Sequence, residues 1–193
     1  MKNKKLLVLV AAMALLLCVA VGGTLAWLTD ESDKVENTFI PSKVDIELDE
    51  SENLDLSMVP GSSIKKDPKI TDAADSEECW VFVKLEKSNN LDTFIDYTMA
   101  ANWEAVTGYD DVYRYAAVQK AGDILQVLAN DAVTVKTSVT SADMAGLAAD
   151  GAVQPTLTFT AYAVQSANLT TTDAAEIWKI ALAKGVVSES TGN

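Results

Sequence analysis

The chain has 193 residues, with 28 Asp and Glu against 15 Lys and Arg, a formal net charge of −13, two cysteines and no histidine. Without histidine, a Ser-His-Asp or Cys-His catalytic unit, a His-ligated zinc site and an HExxH metallopeptidase helix are chemically unavailable. The acidic surplus also excludes nucleic acid as a partner, because releasing counterions from a phosphate backbone needs a cationic face.

Lys2, Lys4 and Lys5 precede an unbroken apolar run from Leu6 to Val21, the charged and hydrophobic regions of an export signal. As a helix this run is about 24 Å long at ~1.5 Å per residue, short of a hydrocarbon core of about 30 Å. Gly22-Gly23 then breaks the helix, and Thr24-Leu25-Ala26 sets small residues three and one positions before a scissile bond between Ala26 and Trp27. Residues 1–26 are therefore expected to be a signal peptide helix that is removed. The competing expectation is an uncleaved anchor, since the apolar stretch counted through Leu28 is long enough to span, and the membrane would then be met only through that leader. Cys18 lies in the leader, after Leu15-Leu16-Leu17, without the small residue that a lipid-attachment site needs before its cysteine. Cys79 is left alone, so no intrachain disulfide is expected in the exported domain, and its place in Cys79-Trp80-Val81-Phe82-Val83 predicts a buried apolar role.

Residues 27–41 read as a polar arm whose apolar members include Trp27, Leu28, Val35, Phe39 and Ile40. A single domain is expected over 42–193. Val44-Asp45-Ile46-Glu47-Leu48 alternates apolar and acidic residues, as a strand with one buried face does. Acidic 49–55 reads as a solvated loop. Pro60-Gly61 is a turn dipeptide and Pro68 biases Asp67 toward an extended conformation, so 58–70 reads as an edge strand with a bend. The clearest strand is 80–86, with Trp80, Phe82 and Lys84 on one face and Val81, Val83 and Leu85 on the other, a two-sided apolarity that suits an interior position. Further strands are predicted at 94–98, 102–106, 112–117, 124–128, 133–139 and 156–165, separated by Gly, Asn and Asp clusters. That spacing indicates an all-β sandwich. Asp173 and Glu176 are then spaced as an N-cap and its partner, with Gly185 as a stop, which predicts one short helix over 174–184 lying on the sandwich with Trp178 as its core anchor.

The chemical motifs are few. Ser62 with Lys65, and Ser63 with Lys66, satisfy S-x-x-K, but the companion S-D-N and K-T-G elements are missing and Lys136-Thr137-Ser138 is only a near miss, so a loop is expected here. The acidic stretches 49–55 and Asp110-Asp111 offer carboxylates to Ca²⁺, yet no D-x-[DN]-x-[DN]-G loop occurs. No catalytic residue, cofactor or metal is assigned.

Gly22-Gly23-Thr24-Leu25-Ala26-Trp27-Leu28-Thr29-Asp30, then Val35-Glu36-Asn37-Thr38-Phe39 and Val44-Asp45-Ile46, resembles the start of the TasA/camelysin family. Looser similarity continues at Pro60-Gly61 with Lys66-Asp67-Pro68, at Trp103 with 109–115, and at Ala161-Tyr162-Ala163-Val164-Gln165 before the Trp178 helix. The resemblance implies a Gram-positive exported protein of the cell surface or extracellular matrix, its leader cut by a SipW-type signal peptidase. It further implies a jelly-roll domain that self-assembles into biofilm-matrix fibres, the arm completing a neighbouring subunit's sheet with Trp27, Leu28, Val35 and Phe39 filling its pockets. Strand addition is physically sound, since an arm that cannot bury itself and an open sheet edge satisfy each other's backbone groups. Camelysin's metallopeptidase activity is not carried over to a chain lacking histidine and any zinc motif. Two other functions compete with the fibre. One is a monomeric surface module binding carbohydrate or protein through Trp103, Tyr109, Tyr113 and Tyr115; the other is a hydrolase built from carboxylates or Ser-Lys pairs.

Overall fold

Strand β4, Cys79–Lys87, shows how the sequence builds the fold. In the computed structural model, which describes residues 43–51 and 57–184 and the backbone of 186–189, it runs between two partners rather than at an edge. Its Val81, Val83 and Leu85 enter one apolar core, while Phe82 and Trp80 enter a second core on the opposite face. The period-two geometry of a strand makes this division automatic once both faces are apolar.

The sheet around β4 has the order β11-β10-β4-β7-β6 and every pairing in it is antiparallel. Its other strands are β6 (Trp103–Ala105), β7 (Val112–Tyr115), β10 (Leu157–Gln165) and β11 (Val186–Glu189). Two three-stranded sheets share the larger core with it. One is ordered β1-β3-β8, from β1 (Ile46–Asp49), β3 (Lys69–Asp72) and β8 (Ile124–Gln126). The other is ordered β2-β9-β5, from β2 (Ser63–Lys65), β9 (Ala132–Val135) and β5 (Ile95–Asp96). Ile46, Leu48 and Ile70 of the first and Ile64, Val133 and Val135 of the second pack in one core with Val81, Val83 and Phe159. The all-β sandwich expected from strand spacing is what these residues form.

The bend predicted in 58–70 is present, with a difference. Residues 66–68 divide the segment into β2 and β3, and pairing continues across the break through Lys66 N to Asp131 O at 2.9 Å and Val127 N to Pro68 O at 3.1 Å. Only β2 is an edge strand. β3 lies between β1 and β8, because the alternating 46–49 segment pairs with it in register from Ile46 opposite Asp72 to Asp49 opposite Lys69.

The helix falls where capping chemistry puts it: α3, Ala174–Lys184, follows Asp173, whose Oδ1 accepts from Glu176 N at 2.9 Å. It buries Ile177, Trp178 and Ala181 against the outer face of the five-stranded sheet. Trp178 meets Tyr162 edge-on at 4.8 Å between ring centroids, Phe82 at 5.5 Å and Tyr109 at 6.3 Å, the core anchor the sequence predicts. Two α-helical segments, a 3-10 turn (Ala129–Asp131) and one strand are additional to the expected set: α1 (Leu91–Phe94) takes the first residue of the predicted 94–98 strand, α2 (Ser141–Leu147) follows a Thr140/Asp143 capping box, and β11 extends the sheet after α3. No helix among the described residues is long and apolar enough to cross a membrane.

Candidate assembly site

One side of the sandwich is stitched shut. Trp103 Nε1 donates to Gln126 O at 2.8 Å, tying β6 to β8, and next to it Ala100 N reaches Val127 O and Ala129 N reaches Thr98 O, each at 2.9 Å. The other side is open among the described residues. β2 pairs with β9 alone, and β11 covers β10 only over its Thr160 to Ala163 part, so Leu157, Thr158 and Phe159 have β4 as their single strand neighbour among the described residues. Between these two bare edges lies a cavity of about 230 Å³ lined chiefly by Met58, Ile64, Leu91, Ile95, Val133 and Leu157. Buried apolar side chains beneath unpaired edge backbone are the two things an incoming strand needs.

Each wall of this groove is held by polar contacts. On the β10 side, Ser88 Oγ accepts from Thr156 N at 2.9 Å, Thr156 O accepts from Ser88 N at 3.0 Å, and Asn90 Nδ2 donates to Val153 O at 2.8 Å. On the β2 side the Lys66 stem lines the cavity while its Nζ sits 3.1 Å from both carboxylate oxygens of Glu50. Those side chains are 16% and 4% exposed, so the pair is largely desolvated, and the ammonium also lies 5.5 Å from the Phe159 ring centroid. Removing one partner would leave the other charge buried and uncompensated. Beside it, buried Asp67 accepts from Ser51 Oγ at 2.6 Å, Ser51 N at 3.1 Å and Lys65 Nζ at 3.0 Å. Burial alone would raise the Asp67 pKa, but the Ser51 and Lys65 hydrogen bonds outweigh it and bring it to about 2. Residues 50–51 are thereby clasped to 65–67.

The residues singled out from sequence fall differently. The Ala26–Trp27 cleavage site, the arm residues Trp27, Leu28, Val35 and Phe39, and part of the acidic loop, 52–56, lie outside the described residues. The S-x-x-K pairs do not assemble: Lys65 reaches Ser51 and Asp67, Lys66 reaches Glu50, and Ser63 Oγ lies against Val133 O at 3.5 Å. Trp103, Tyr109, Tyr113 and Tyr115 do not form one platform. Trp103 is buried, with Tyr115 edge-on at 5.3 Å, and both pack with Tyr113 on the larger core, whereas Tyr109 packs on the smaller one. Asp111 is paired with Lys87 Nζ at 2.8 Å.

Cys79 is fully buried, as its sequence setting predicts, with Sγ 3.5 Å from Asp72 Oδ2. Burial and then the Asp72 charge push its thiol up to about 12, so it is a protonated donor and no nucleophile. The groove itself escapes sequence reading, because Ser63-Ile64-Lys65 is too short for a periodic signal and the far wall comes from some ninety residues further on.

No curated protein and no solved structure matches the chain. The family whose model does match is described as camelysin metallo-endopeptidase. A metallopeptidase centre does not fit these residues: the sequence has no histidine, and among the described residues no group of three Cys, Asp or Glu is placed to hold a metal. Residues 1–77, which run through β3, match that family model, so over this stretch the chain is similar to that family.

Proposed function

We propose that this protein is an exported structural subunit of an extracellular matrix, forming or joining fibres when the 27–41 arm of one copy adds as a strand to the open seam of the next. The observation that carries the reading is that, among the described residues, the β2 edge and the Leu157 end of β10 are unpaired and face each other over an apolar cavity. An arm adding there would gain backbone hydrogen bonds from an edge and bury alternate side chains in the cavity, the division of labour seen in strand addition generally. Trp27, Leu28, Val35 and Phe39 are the side chains proposed to fill it. The family match over the leader and arm supports export and surface association, and a SipW-type signal peptidase is the proposed partner that cuts between Ala26 and Trp27.

The decisive experiment compares exported protein with a form lacking residues 27–41, by negative-stain electron microscopy at rising concentration. Filaments from the first and folded monomers from the second are expected. Normal filaments from the truncated form would overturn the proposal. Intact mass of the exported protein checks the cleavage, a species beginning at Trp27 being expected.

A further inference from the structure

The sheet β2-β9-β5 has a second face. Along its strands Ile64, Val133 and Ile95 point into the core, so the alternate residues share the outer surface. The registers set Ser63 opposite Thr134 and Thr134 opposite Asp96, forming one polar row across all three strands. This row borders a cavity of about 160 Å³ completed by Tyr97, Thr98 and Asn130. Asn130 and Asp131 hold consecutive φ values of +58° and +51°, the left-handed region that Asn and Asp adopt more readily than other non-glycine residues. The turn they form sets Asn130 in the cavity lining.

The lining decides the ligand by elimination. The Asp96 carboxylate in an acidic protein repels phosphate and carboxylate ligands. Asp96 is the lining's single carboxylate and is already answered by Lys136 Nζ at 3.3 Å, so a cation finds no cage. Tyr97 and two alanines are the whole of its apolar contribution, too little for a lipid tail. The volume is also below the ~300–1,000 Å³ of drug-sized pockets, which leaves room for one small ring. The remaining groups are hydroxyls, an amide and a carboxylate, and the side chains of Thr98, Asn130 and Thr134 make no hydrogen bond to any described residue.

We infer that this basin binds a neutral pyranose unit of a polysaccharide. Adjacent sugar hydroxyls donate to Asp96 and accept from the Asn130 amide, and the threonine hydroxyls serve in either sense. The basin lies on the opposite face of the sheet from the open groove, so strand addition at the groove leaves it uncovered.

The test is saturation-transfer NMR on the full exported protein with the methyl glycosides of glucose, galactose and N-acetylglucosamine. Transfer to at least one of them is expected, with roughly tenfold weaker binding when Thr134→Val and Asp96→Ala are combined. Asn130→Gly removes the amide while easing the backbone, and as a variant with little risk to folding it is expected to weaken the same glycoside. Silence with all three glycosides, or unchanged transfer in both variants, overturns the inference.

Discussion

Asp67 is one ionisable group through which acid reaches this fold. Its pKa, held near 2 against an ordinary carboxylate value of 3.8, means the folded state prefers the charged form. That stabilisation is fully present above the ordinary value and is lost as pH falls from about 4 through about 2, worth on the order of 2 kcal/mol in total. Thermal melts between pH 5 and pH 2 are expected to show this decline, and Asp67→Asn to lack that part of it; an identical pH profile in the variant would refute the assignment. Cys79 shows the same logic inverted. A thiol pushed up to about 12 inside a core is expected to resist iodoacetamide in the folded protein and to react once it is unfolded, read as carbamidomethylation of the peptide that contains Cys79. Arg114, the one arginine in the sequence, stacks 4.8 Å from the Trp80 ring centroid, pairs with Glu104 at 3.1 Å and donates to Thr172 O at 2.8 Å. A lysine there has neither the flat face nor the fork to make all three contacts.

At the scale of elements, legibility followed the strength of the local signal. β4 and α3 were readable because nine residues with two apolar faces, and a capped apolar repeat, leave little choice. The strand at 94–98 shrank to Ile95–Asp96 because Leu91 and Phe94 turn into the core as a single helical turn, an outcome fixed by packing that no short pattern records. The Thr140/Asp143 box of α2 was a readable cap, but the helix it starts buries none of its residues completely, so no apolar period accompanies it. Docking of α3 depends chiefly on Trp178. Trp178→Ala is expected to cost about 3–5 kcal/mol, measured by urea denaturation, with the larger core still formed. A loss below about 1 kcal/mol would mean the helix is held elsewhere.

For the whole molecule, the open seam was the least legible feature. It joins Ile64 to Leu157, whose meeting depends on where β1 stops pairing with β3 and where β11 stops covering β10. No local pattern in the sequence marks this seam, at which we propose the arm docks. Leu157→Lys, a charge set into the groove wall at a half-exposed position, is expected to abolish filaments while shifting the melting temperature by only a few degrees. Filaments of normal length from that variant would move the docking surface elsewhere.

The arrangement of β4 carries one more consequence, for the order in which the molecule matures. β4 is flanked by β7 from nearby sequence and by β10 from some eighty residues away, and the back of its sheet is roofed by α3, later still in the chain. A ribosome delivers these parts in sequence order, so a nascent chain that has released only its first hundred residues holds a hydrophobic ribbon with neither cover. Its fold is deferred until the late elements arrive, so the polypeptide stays slack until its synthesis is nearly complete.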